Sequence, residues 1–113
     1  MAETIKFSEW QKLDIRAAKI LKAEDIEGAD KLYRLSIDLG KELGKRTLVA
    51  GIKPYYKKEQ LKNKNCIVFT NLEPRTIKGT ESRGMLLATV SEDESEVFLL
   101  QPEKDIKPGS RIR

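Results

Sequence analysis

Between Lys31 and Leu39 the chain alternates without a break. Tyr33, Leu35, Ile37 and Leu39 fall on one face; Leu32, Arg34, Ser36 and Asp38 fall on the other. A period of two sustained this long specifies a β-strand with one face in a core. Shorter strands surround it. Asp14 to about Glu24 reads as a strand whose alternation slips by one residue at Ala17-Ala18, which predicts a bulge or strong curvature. Gly28 lies in the turn that follows. Further strands are expected over 46–52, 65–72, 84–90 and 96–100, with Gly40 to Gly44 as a hairpin connection. A last short strand over 110–113 follows the Pro108-Gly109 turn. Two short stretches read as helix. In Phe7 to Leu13, Ser8 is the expected N-cap and Phe7, Trp10 and Leu13 share a face. Tyr56 to Lys62 is the other. No βαβ period occurs. The order predicts an all-β fold, a five-stranded Greek-key barrel of the OB type with an N-terminal helix and extra C-terminal strands. At 113 residues the chain makes a single domain, with a barrel core over about 13–91 and an extension over about 92–113.

The sequence holds no histidine and one cysteine, Cys66. Ser-His and Cys-His nucleophilic chemistry is thereby excluded, as is a soft ligand set for zinc. Glu92, Asp93, Glu94 and Glu96 crowd a turn between two strands, where a solvated loop is expected rather than a metal or acid–base site. Neither a P-loop nor GxGxxG occurs. The chain alone is therefore expected to be no enzyme and to carry no cofactor and no metal. Cys66 reads as a small buried hydrophobe, and a lone cysteine suits a reducing cytoplasm. No apolar run reaches the roughly 18 residues of a membrane span, and no signal-peptide pattern is seen at the N-terminus. The 35% charged content, rich in Lys and Glu, fits a thermophilic source.

Charge is unevenly spread. Residues 41–83 hold 11 Lys and Arg against 4 Asp and Glu, a net of +7, while the other 70 residues net −3. Such a concentration is either an electrostatic footprint for a polyanion or a solubilising surface. The stretch from Asn71 to Ala88 decides where to look. Arg75, Lys78 and Arg83 punctuate a loop between two apolar runs, and Pro74, Gly79 and Gly84 restrict its course. Asn71 is expected to tie the loop by side-chain hydrogen bonds, and Ser82 to bind. Folded as an OB barrel, the chain brings Lys31 and Arg34 of the second strand, and Lys53, Tyr55 and Tyr56 after the third, toward the same face. Fixed cations suit phosphates and flat aromatic surfaces suit bases. Tyr55 and Tyr56 either stack bases or anchor the short helix. Tyr33 is expected in the core. Lys57, Lys58, Lys62 and Lys64 read as a solvated helix face. The apolar residues outside the barrel, Phe7, Trp10, Phe98 and Leu100 among them, either cover a subunit interface or plug one barrel end.

These residues resemble a family. Asn71-Leu72-Glu73-Pro74-Arg75 with Lys78-Gly79, followed by Ser82-Arg83-Gly84-Met85, is similar to the N-L-x-P-R…G-x-x-S-x-G-M motif of the OB-fold tRNA-binding domains. Leu13-Asp14-Ile15-Arg16, Ala29-Asp30-Lys31-Leu32 and Val49-Ala50-Gly51-Ile52 support the match in order. Glu27-Gly28 departs from it, standing where the family pattern has His-Pro. The resemblance implies binding of the tRNA corner by shape, with little sequence selection, by a symmetric dimer. The domain would act alone or as a trans-acting beta subunit beside a methionyl-tRNA synthetase catalytic chain. Carried over residue by residue, the expected tRNA contacts are Lys31, Arg34, Lys53, Arg75, Lys78, Ser82, Arg83 and Met85. The expected dimer contacts are Phe7, Trp10, Phe98 and Leu100. A secretion-chaperone branch of the same family implies an alternative, binding of extended polypeptide.

Overall fold

The computed structural model describes residues 2–113. Five strands form one antiparallel sheet in the order β3-β2-β1-β4-β7, with β1 at Ile15–Ile26, β2 at Ala29–Asp38, β3 at Lys45–Ala50, β4 at Asn65–Phe69 and β7 at Met85–Leu86. Two hairpins complete the β structure: β5 (Arg75–Ile77) with β6 (Thr80–Ser82), and β8 (Ala88–Val90) with β9 (Val97–Leu99). The all-β, OB-like class is as expected, but the barrel does not close. No ladder joins β3 to β7. The gap is spanned instead by single contacts, such as the Arg83 N–H donating to the Thr47 carbonyl at 3.1 Å.

The alternation in β2 does what it predicts. Tyr33, Leu35, Ile37 and Leu39 are buried with Ala18 and Ile20 of β1, Leu48 and Ala50 of β3, Cys66 and Val68 of β4, and Leu99 of β9. Each large aliphatic side chain enclosed this way contributes about 1.5–3 kcal/mol. Leu61 plugs the core from α3 (Lys58–Leu61), a helix shorter than the expected Tyr56 to Lys62.

β1 corrects the expected bulge at Ala17-Ala18. There the ladder to β4 runs unbroken from Ile15↔Phe69 to Lys19↔Asn65. The slip in pattern arises because this half of β1 is covered on both sides. Ala18 faces the main core, while Ala17 joins Ile15 and Ile67 in a second cluster roofed by Trp10, Leu13, Phe69 and Leu87. The register breaks lie further on, between Ile20 and Lys22 and between Asp25 and Ile26, where β1 bends along β2.

Three other expectations give way to local chemistry. Helix α1 (Phe7–Trp10) is capped at Lys6 rather than Ser8, and the Lys6 N–H donates to Glu9 Oε1 at 2.9 Å. Gly40–Leu43 forms a helical turn, α2, rather than a bare hairpin connection. The expected strand over 110–113 is reduced to a bridge, Arg16↔Arg111. It is supported by the Ala17 N–H donating to Ser110 O and the Ile112 N–H donating to Ile15 O, both at 2.8 Å. That segment takes the edge of β1 that β2 does not reach.

Candidate nucleic-acid interface

The basic loop is a built element rather than an irregular one. Arg75↔Ser82, Thr76↔Glu81 and Ile77↔Thr80 pair across a two-residue turn at Lys78-Gly79, both with positive φ (50° and 79°). This is the I′ geometry that matches strand twist. Its root is fastened twice to β3, by the Ser82 side chain and by the Arg83 N–H, which donates to the Thr47 carbonyl at 3.1 Å. Ser82 is buried; its Oγ accepts from the Val49 N–H at 3.0 Å and donates to the Gly84 carbonyl at 3.3 Å. Gly84 follows at φ 129°, and a Cβ there would stand 2.9 Å from the Phe69 carbonyl oxygen, so only glycine lets the chain cross so close to β4.

Between this hairpin and the outer face of β2–β3 runs an open trough of about 630 Å³. It is lined by Leu21, Arg34, Ser36, Lys45, Arg46, Thr47, Gly79, Thr80, Glu81 and Arg83. Two of the expected contacts, Arg34 and Arg83, line it together. Arg75 and Lys78 stand on the hairpin that forms its wall but do not line it themselves. Lys31 and Lys53 sit at the far end of β2, where the Lys53 N–H donates to the Lys31 carbonyl at 3.3 Å. Met85 is exposed on β7 opposite Phe69, outside the trough. Ser82, expected as a binding hydroxyl, is committed inside the chain. Asn71 is structural, as expected: its Oδ1 accepts from the Asp14 N–H at 2.8 Å and its Nδ2 donates to the Lys12 carbonyl at 2.7 Å.

A family profile described as "Putative tRNA binding domain" matches residues 15–111. The chain belongs to the tRNA-binding domain family. Over 111 residues this tRNA-binding domain is 50% identical to methionine–tRNA ligase of Pyrococcus horikoshii, covering 98% of the chain and 15% of that protein. The corresponding enzyme of Methanocaldococcus jannaschii is 47% identical over 111 residues, with 98% and 17% covered. The domain thus spans a small part of these relatives. Among solved structures, a MetRS related protein from Pyrococcus horikoshii superposes with a TM-score of 0.90 at 32% identity, covering 99% of this chain and 100% of that one. The chaperone CsaA from Bacillus anthracis superposes at 0.88 with 30% identity, covering 98% and 100%.

Sequence reasoning missed two arginines of the tRNA-binding domain. Arg46 shares the parity of the core residues Leu48 and Ala50, which masks it as an interior position. At the mouth of the core it turns out and donates from Nη1 to the Thr70 carbonyl at 2.7 Å and the Arg83 carbonyl at 3.4 Å. Burial, with Arg83 alongside, brings its pKa below the ordinary arginine value, and the group remains a fixed cation. Arg16 is buried. It grips Asp14 with both Nε (2.8 Å) and Nη2 (3.1 Å), and donates from Nη1 to Glu42 at 2.6 Å. Its role is to join β1 to α2.

The tyrosines are mostly structural. Tyr33 is buried, as expected, and its hydroxyl donates to the Tyr56 carbonyl at 2.7 Å. The Tyr56 hydroxyl in turn accepts from the Leu99 N–H at 3.2 Å, and the Tyr55 hydroxyl donates to the Glu94 carbonyl at 2.8 Å. Lys58, read as freely solvated, is instead held by Asp25 at 2.7 Å. Cys66 is buried in the core, which pushes its thiol up to about 12. On another side of the domain an apolar groove of about 530 Å³ lies open, lined mainly by Trp10, Ile15, Ile67, Leu87, Leu100, Ile106 and Ile112. Phe7 and Phe98 are exposed at 70% and 58%. Among the described residues no helix is long and apolar enough to cross a membrane.

Proposed function

We infer that the chain holds tRNA by its phosphate backbone and shape, with little sequence selection. It does so as a two-fold dimer in the cytoplasm, in trans to a methionyl-tRNA synthetase or on tRNA directly. The observation that carries this reading is the trough beside the β5–β6 hairpin. Arg34, Lys45, Arg46 and Arg83 edge it, and Arg75 and Lys78 project from a hairpin whose root is fixed by Ser82 and Gly84. A-form RNA hides its major groove, so a protein reading shape relies on phosphate and 2′-hydroxyl contacts, which cations on rigid strands supply. The dimer is supported by the exposed Phe7 and Phe98 and by Trp10 and Leu100 in the apolar groove. That groove, together with the likeness to CsaA chaperones, favours a second reading in which extended polypeptide is the ligand. A gel-shift comparison of mature tRNA, an RNA duplex of equal charge and an unfolded protein separates the two. Retention of tRNA above the duplex is the expected result; retention of the unfolded protein alone would transfer the function to the groove.

A further inference from the structure

Consecutive carboxylates on β1 hold four of the chain's basic side chains. Glu24 lies 3.8 Å from Lys22 Nζ and 3.5 Å from Arg34 Nε. Asp25 lies 3.0 Å from Lys53 Nζ and 2.7 Å from Lys58 Nζ. By contrast, among the described residues no carboxylate pairs with Lys31, Lys45, Arg46, Arg75 or Lys78. The Glu24 and Asp25 pairs are all on the surface, where such contacts add little to stability. Their effect falls on the ligand instead. A phosphate approaching Arg34 or Lys53 meets a cation already answered by a carboxylate. It must displace that group or sit beside a like charge, and fewer counterions are released when it docks.

We propose that Glu24 and Asp25 are specificity determinants, holding down the affinity of this face for generic polyanions so that retention depends on reaching the unpaired cations of β3 and the hairpin. The proposal rests on the RNA-binding reading above. A regular duplex that touches only the paired cations gains little net charge neutralisation. A folded RNA whose corner also spans Lys45, Arg46, Arg75 and Lys78 gains the full amount. The carboxylates thus cost the shaped ligand a small fraction of its attraction and the unshaped one most of it.

The test is filter binding of the full chain, across a salt series, to mature tRNA and to a regular RNA duplex of equal charge. Glu24→Gln, Asp25→Asn and the double variant are compared with Glu103→Gln, an exposed carboxylate with no cation partner among the described residues. The double variant should gain roughly tenfold for the duplex, with its salt slope steeper by about 0.9 per phosphate newly engaged, and under about threefold for tRNA. Unchanged duplex binding, equal gains for both RNAs, or the same gain from Glu103→Gln would each overturn the assignment. Should Asp25→Asn fold poorly, Glu24→Gln alone decides, since Glu24 bonds only to surface cations. A wild-type chain that binds neither RNA removes the proposed function as well; one that binds tRNA while the variants behave like wild type removes only this assignment.

Discussion

Arg75 and Lys58 carry the same charge in unlike settings. Arg75 stands exposed on a hairpin strand with no carboxylate partner among the described residues, whereas Lys58 is held by Asp25 at 2.7 Å. Arg75→Ala should weaken tRNA binding by about 1–3 kcal/mol, the size of one charge-assisted contact. Lys58→Ala should cost well under ~1 kcal/mol, chiefly as a slower on-rate at low salt. Filter-binding titrations of both variants check this, and equal losses would leave the hairpin no special place. The Asp14–Arg16–Glu42 contact bears on stability instead. Asp14→Ala leaves buried Arg16 with Glu42, largely exposed, as its remaining ionic partner and a 3.5 Å hydrogen bond to the Gly109 carbonyl, and should cost about 2–4 kcal/mol in urea unfolding. Glu42→Gln should cost under ~1 kcal/mol. The hydrogen bond from Arg16 holds the Asp14 carboxyl below its ordinary value. Its stabilising effect is therefore complete above an unfolded pKa of about 3.9 and is lost as pH falls through the folded value. The Asp14→Ala variant should show a shallower acid limb than the wild type. The Asp14–Arg16–Glu42 contact was not legible beforehand. A charged residue inside an apolar run signals an edge or a bulge, and nothing in Asp14-Ile15-Arg16 reveals that Glu42 will arrive from α2.

Elements differ in how plainly they declare themselves. β2 was readable because its alternation is long and one face is entirely solvent-side. The β5–β6 hairpin was read as loop because three-residue strands carry too few positions for a period, although Lys78-Gly79 held the turn signal. The first half of β1 misled because burial on both faces erases alternation. The hairpin gives its own prediction. A Cβ at Gly79 would meet nothing within 4 Å, so Gly79→Ala adds only the strain of a positive φ, about 1–2 kcal/mol, borne by the turn. It should lower tRNA affinity and lower the thermal midpoint by a few degrees, less than Gly84→Ala does. Gly84→Ala meets the Phe69 carbonyl at 2.9 Å and the Leu48 and Val68 side chains at 3.3 Å, so it should lower the midpoint by several degrees. If the two variants melt alike, the hairpin is not the separable element the contacts describe.

The whole molecule presents a basic trough and an apolar groove as separate surfaces, and the dimer proposed above would use the second together with the exposed Phe7 and Phe98. Sedimentation at micromolar concentration should give twice the chain mass, and Phe98→Glu should shift the population toward monomer without unfolding it. A wild-type chain sedimenting as one copy would leave Phe7 and Phe98 as plain surface. Assembly of a different kind follows from the way residues 109–112 lie along the edge of β1. The Gly109 N–H donates to the Ala17 carbonyl and the Ile112 N–H to the Ile15 carbonyl, both at 2.8 Å. These partners lie 92 and 97 residues apart along the chain (109 − 17 and 112 − 15), so their pairing is costly to close and late to be available. During synthesis the start of β1 emerges well before residues 109–112 and waits with one edge bare until that segment leaves the ribosome. During that interval the exposed edge is the part of the molecule open to pairing with a second nascent chain.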